Sequence, residues 1–212
     1  MLVGKRMFQD IITVKKEDTV SYAFELMNSH GIRHLPVVDR KKLVGIVTDR
    51  DIRHAFVPQK SESSQKIIKY QMGNFRVEEI MTPNPIFVNP KTSIEEAAQL
   101  IIQYKIGGLP VVENEELVGI ITETDILKVF VEIMGIIRSS SRISVILGEN
   151  PGAFEEVSRI IKSHGVDIIS VGMSAHSEKK DRIYYFRVEN CNMEPLASEI
   201  QKAGYKVESV QN

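Results

Sequence analysis

The chain has 212 residues, 42% hydrophobic and 26% charged, the balance of a soluble globular protein. A formal net charge of -1 excludes a global field that draws the protein to nucleic acid or to an anionic membrane. A single cysteine, Cys191, excludes an intrachain disulfide, no apolar run approaches the ~20 residues of a membrane span, and MLVGKRMFQD lacks a signal-peptide core, so a cytoplasmic protein is expected.

Residues 13–56 read as strand, helix, strand, strand, helix. DIITVKK at 10–16 is a short β-rich run. Asp18 and Thr19 open a helix with Val20, Ala23, Phe24 and Met27 at helical spacing, and Gly31 stops it. HLPVVD at 34–39 is a short apolar strand, followed by the polar turn Asp39-Arg40-Lys41-Lys42. LVGIV at 43–47 is too uniformly apolar to have one wet face, which predicts a central strand. Thr48 then fits an N-cap and Asp51 the third helical position, the spacing of a capping box.

Residues 57–74 hold Pro58, a polar SESSQK run and IIKYQMG, and read as a loop plus a short helix linking two domains. From Val77 the pattern returns. Sliding the chain by 74 positions brings 3–56 onto 77–130 without a gap, and 19 of those 54 pairs are identical. That is a duplicated domain. GIVTDRD at 45–51 becomes GIITETD at 119–125, and LPVVD at 35–39 becomes LPVVE at 109–113. The first strand of the second copy is expected in the proline-bracketed MTPNPIFVNP, and its helix carries Ile94, Ala97, Ala98 and Ile101.

After Ile137 a run of three serines marks a boundary. RISVILG is a strand; Asn150 fits an N-cap with Pro151 at the first helical position, and Phe154, Val157, Ile160 and Ile161 form the helix stripe before Gly165 ends it. VDIISVGMSA and DRIYYFRVE are two strands joined by the charged turn HSEKK, a helix follows over 195–202, and YKVESV is a last strand. The order βαββαβ predicts a ferredoxin-like sandwich, with helices on one face of an antiparallel sheet.

On LPVVD with LVGIVTDRD, and LPVVE with LVGIITETD, the duplicated unit resembles the cystathionine-β-synthase (CBS) domain, which usually occurs as a tandem pair. On Gly148, Asn150, Pro151, Gly152 and the element order, the C-terminal part resembles an ACT domain, a small ligand-sensing or pairing module. The expected class is α+β: two pseudo-symmetric CBS domains at 1–60 and 77–136, packed as a pair and joined by a linker at 61–76, then an ACT-like domain at 137–212. This domain order is similar to that of the AcuB-type acetoin utilisation proteins, which implies a regulatory role in acetoin catabolism.

Read from the residues, Thr48 with Asp51 and Thr122 with Asp125 are helix caps. The resemblance implies a second role, in which each pair holds the ribose of an adenine nucleotide, since a fixed carboxylate can accept two hydrogen bonds from a cis-diol. It also implies phosphate contacts from Arg33 and His34, which precede LPVV, and adenine-lining places for Thr13 and its counterpart Phe87. Phe87 reads alternatively as core. Val38 and Val112, in the paired LPVV strands, and Arg50 complete the candidate binding residues. Where the first copy has Arg33-His34 the second has Gly107-Gly108, which is either a close-packing or flexible turn or an opening for a neutral adenosyl group such as that of S-adenosylmethionine.

The copies also differ in charge. Residues 3–56 carry ten Lys/Arg and seven Asp/Glu, for +3, whereas 77–130 carry three and nine, for -6. Arg50 and Arg53 face Thr124 and Leu127 at the matching positions, so a phosphate is expected to prefer the first copy. Catalysis is not expected: Cys191 has no histidine nearer than 15 residues, His164 and His176 lack metal-ligand spacing, and no Gly-rich phosphate loop is present. The expectation is a regulator sensing AMP, ADP or ATP through its CBS pair and relaying it through ACT-mediated homodimer contacts to an unidentified target protein. The alternatives are a dimerisation scaffold without ligand and an amino-acid sensor working through the ACT end.

Overall fold

The computed structural model describes residues 1–55, 75–136, 139–148, 150–175 and 182–211. The expected helix in IIKYQMG, all but the last two residues of the expected linker, Glu149, and the HSEKK turn lie outside them. The chain divides into two compact units, Met1–Ile126 and Leu127–Asn212.

In the first unit, α1 (Val20–His30) is capped by Thr19, whose hydroxyl accepts from Tyr22 N at 3.2 Å, and ends at Gly31 in the left-handed conformation, φ 63°. Its buried face is Val20, Ala23 and Met27; Phe24, expected with them, lies exposed. There follow β1 (His34–Asp39), β2 (Lys42–Thr48) and α2 (Asp49–Ala55). The second repeat runs through a two-residue β3 (Thr82–Pro83), α3 (Ile94–Tyr104) capped by Ser93, β4 (Gly108–Glu113), β5 (Glu116–Thr122) and α4 (Glu123–Ile133).

The sheet order is β1-β2-β5-β4, with antiparallel pairing and the same bulge in both repeats, at Val37/Val38 and at Val111/Val112. β2 is central as expected, flanked by β1 on one side and by β5 and β3 on the other. The strands expected in DIITVKK and MTPNPIFVNP do not form at full length. DIITVKK is reduced to one parallel bridge, Val14↔Val37, and MTPNPIFVNP to the two-residue β3 and the parallel bridge Val88↔Val111. Val14 N donates to Pro36 O at 3.1 Å and Val38 N to Val14 O at 2.9 Å. The next rung would need an N–H from Pro36, which has none, and Pro110 stops the second copy in the same way.

The repeats complete one another. The segment ahead of the second repeat docks on the first: Val77 N donates to Asp18 O at 2.9 Å, and the Val77 side chain lies in the core cluster of Val14, Val20, Ala23, Met27, Leu35, Val37, Val47 and Ile52. The segment ahead of the first repeat docks on the second. Val3 N donates to Thr92 O, Gly4 N to Pro90 O and Phe8 N to Ile120 O, each at 2.9 Å. Glycines let these segments approach. A Cβ on Gly119 would sit 2.5 Å from Sδ of Met7, and one on Gly45 2.5 Å from Sδ of Met81.

The second unit consists of β6 (Ser140–Ile146), α5 (Ala153–Ser163), β7 (Ile168–Ala175), β8 (Arg182–Glu189), α6 (Met193–Lys202) and β9 (Lys206–Gln211). The βαββαβ order is as read, and the sheet runs β7-β8-β6-β9 with antiparallel neighbours. Ile143, Val145, Phe186 and Val188 of the strands close on Val157 and Ile161 of α5 and Leu196 and Ile200 of α6. Asn150 is not the cap of α5. The helix starts two residues later than expected, at Ala153, because the chain first turns: Asn150 O accepts from Ala153 N at 3.2 Å and Gly152 takes φ 92°. Among the described residues, no helix is long and apolar enough to cross a membrane.

Candidate functional site

Each repeat runs from a buried strand into a helix through the Thr-x-x-Asp motif. At the end of β2, Thr48 N donates to Asp51 Oδ2 at 2.8 Å, Thr48 Oγ1 donates to the same oxygen at 2.7 Å, and Thr48 Oγ1 accepts from Asp51 N at 3.3 Å. The capping box is real, and it uses one carboxylate oxygen only. Thr122 and Asp125 repeat the geometry, with Thr122 Oγ1 donating to Asp125 Oδ2 at 2.6 Å. Asp49 N donates to Arg33 O at 3.1 Å and Glu123 N to Gly107 O at 3.0 Å, which ties each helix start to the approach of its neighbouring strand.

A cavity of about 630 Å³ opens at the first motif and draws on both repeats. Its volume suits a ligand of nucleotide size. The first repeat contributes Arg33, His34, Ile46, Thr48, Asp49, Arg50 and Asp51; the second contributes Thr82, Asn84, Pro85, Ile86 and Pro110, the end of α3 with its following turn, and Glu123. Five candidate residues therefore meet in one place: Arg33, His34, Thr48, Arg50 and Asp51. Phe87 and Val112 line a separate, smaller cavity of about 280 Å³, where Phe87 is 55% exposed and so is not core. Thr13, Val38, Thr122 and Asp125 line neither of these cavities, and Val38 is buried in the sheet.

His34 accounts for the first glycine of the pair opposite it, Gly107. A methyl group at Gly107 would stand 2.7 Å from His34 Nε2, so the imidazole occupies the space that a side chain there would need. Close packing is the reading the geometry favours. Burial pushes the His34 pKa below its ordinary 6.5 and the Arg33 charge adds to that, against opposing pulls from Asp49, Glu123 and Asp51. Arg33 reaches Glu123 of the other repeat at 3.9 Å, both side chains being more than half exposed, so this ion pair orients more than it stabilises.

Sequence reasoning missed the wall given by the second repeat, namely Asn84, Pro85, Ile86, Ile101 and Lys105. A usable signal was present in the conformational punctuation. Asn84, set between two prolines, and Lys105, at the position that Gly31 holds in the first repeat, both take positive φ, 47° and 54°.

The CBS domain model matches residues 3–58 and 77–132. An inosine-5'-monophosphate dehydrogenase from Korarchaeum cryptofilum is 41% identical over 121 residues, which are 57% of this chain but 22% of that enzyme. The chain thus spans about a fifth of the dehydrogenase. The crystal structure of CBSX2, an Arabidopsis thaliana protein, in complex with AMP superposes with a TM-score of 0.53 at 30% identity, covering 62% of this chain and 97% of that one. The CBS domain pair of protein MJ0100, in complex with 5'-methylthioadenosine and S-adenosyl-L-methionine, superposes with a TM-score of 0.50 at 31% identity over 61% of this chain and 95% of its own.

Proposed function

The chain belongs to the CBS-domain family, and from that premise we propose that it is a cytoplasmic regulatory protein that binds an adenine nucleotide in the cavity at Thr48 and Asp51. One observation carries the reading. Asp51 spends Oδ2 on its cap, while Oδ1 accepts no hydrogen bond from the described residues, at the mouth of a cavity that also holds Arg33, His34 and Arg50. Oδ1 is suited to a ribose diol and the cations to phosphate oxygens. S-Adenosylmethionine is the weaker candidate, because its sulfonium would face the same cations.

The role is regulatory and not catalytic. The second unit serves as an ACT-like pairing module that forms a homodimer and passes the state of the CBS pair to a target protein, by population shift. Its domain order supports an AcuB-type place in the control of acetoin utilisation.

Calorimetric titration with AMP, ADP, ATP, S-adenosylmethionine and a panel of amino acids tests the reading. Nucleotide binding is expected, and a flat response to every nucleotide at millimolar concentration would refute it. Asp51→Ala is expected to abolish nucleotide binding while the folded state survives, with about 1 kcal/mol lost from the cap. Binding that persists in the variant would leave Asp51 a cap only.

A further inference from the structure

The charged side chains of the cavity are not equally engaged. Glu123 pairs with Arg33 at 3.9 Å, Asp49 with Arg53 at 3.3 Å, and Asp51 accepts from Thr48. Among the described residues, Arg50 of the first repeat and Lys105 of the second have neither an ion pair nor a side-chain hydrogen bond. Lys105 follows α3 with a left-handed backbone, φ 54°, where Gly31 follows α1 with φ 63°. Glycine takes that conformation without steric cost and lysine does not, so the fold of the repeat does not ask for a lysine there. Nor does it ask for an arginine at Arg50, since the second repeat has Thr124 in that place.

Repeat symmetry makes the two departures add. The cavity at Thr48 and Asp51 takes position 50 from its own repeat and position 105 from the other. Its symmetry mate at Thr122 and Asp125 would take Thr124 and Gly31, both neutral. Each substitution between the copies thus places a positive charge in the same cavity and none in the other. The second copy carries only three basic residues against nine acidic ones, and Lys105 is the one that lines this cavity.

Building on the nucleotide reading, we infer that Arg50 and Lys105 are specificity residues for a polyphosphate chain, so that the site takes a nucleoside di- or triphosphate in preference to a monophosphate. Arg33 and His34 meet the first phosphate; Arg50 and Lys105 neutralise the further ones from the two repeats. The bound chain therefore ties one copy to the other, and the pair carries one such site.

The test is calorimetry on the full chain with AMP, ADP, ATP and inorganic tripolyphosphate at fixed ionic strength, for wild type, Arg50→Thr and Lys105→Gly, which install the counterpart residues of the other repeat. Wild type is expected to bind ATP more tightly than AMP. Each variant should weaken ATP about tenfold, the worth of one charge-assisted hydrogen bond, and lower the ratio of ATP to AMP affinity. Lys105→Gly should also raise the melting temperature of the free protein, which separates lost recognition from damage to the fold. An ATP-to-AMP ratio unchanged in both variants overturns the inference while leaving the nucleotide reading standing. Tripolyphosphate binding that depends on Lys105, with no adenine nucleotide bound, upholds the polyanion clamp and removes adenine. Failure of wild type to bind any of the four overturns both.

Discussion

His34 carries the pH dependence of the site. Its folded pKa lies below 6.5 because burial and Arg33 disfavour the imidazolium more than Asp49, Asp51 and Glu123 favour it. The unfolded chain, at the ordinary value, takes up a proton first on acidification. Stability is therefore full above 6.5 and is lost as the pH falls from there toward the depressed folded value. Melting curves of wild type should show this loss, and His34→Gln should flatten it. A phosphate dianion beside the ring would favour the imidazolium, so the affinity for AMP relative to adenosine should rise as the pH falls toward about 6, where the phosphate itself begins to take up a proton. Titrations that show no pH difference between the two ligands would remove His34 from the phosphate subsite. The packing role has a separate test. Gly107→Ala pushes a methyl group to 2.7 Å from Nε2 and should cost about 1–3 kcal/mol in denaturant melts, with His34→Ala in the same chain restoring most of it.

At the scale of elements, the exchange of lead-in segments sets which substitution damages which repeat. Val77 belongs by position to the second copy and by packing to the core of the first. Val77→Ala should cost about 1–3 kcal/mol and speed hydrogen exchange in α1, β1 and β2 before α3, β4 and β5. The opposite order would contradict the exchange. Here the sequence was least legible. The 74-residue offset reveals two equivalent units and the caps at Thr48 and Thr122, because those depend on neighbours close in the chain. It does not reveal that Val3 and Val77 fit the other unit equally well, since identical residues are interchangeable until the loop between them decides. The same limit hid half of the cavity. Arg33, Thr48 and Asp51 stand in motifs, whereas Asn84 and Lys105 reach the site only through the pairing of the repeats. The full-length strand expected in DIITVKK stops at a proline of the partner strand, Pro36, whereas that expected in MTPNPIFVNP is stopped by Pro110 of the partner strand and by Pro90 of the run itself.

For the whole molecule, each unit closes around its own hydrophobic cluster, Leu35 with Val47 in one and Phe186 with Val157 in the other. Scanning calorimetry should resolve two transitions. Saturating ATP, at a hundredfold excess over its dissociation constant, should raise the first unit by about 2.7 kcal/mol through mass action. If the second unit relays the signal, its own transition must move as well, by a coupling of about 1–3 kcal/mol. A second transition that ignores the ligand would refute the relay and leave a sensor with no output through that end.

The crossed lead-in segments also set a timetable for synthesis. A ribosome extends the chain at about 5–20 residues per second. The first repeat has all of its own helices and strands when residue 55 emerges, yet its core stays open until Val77 follows. The opening segment waits longer still, because Val3 and Phe8 find their partners only at Thr92 and Ile120. Apolar surface on the nascent first repeat is thus uncovered for seconds, a window in which chaperones can engage it. Gene fragments that encode one repeat alone should yield insoluble protein.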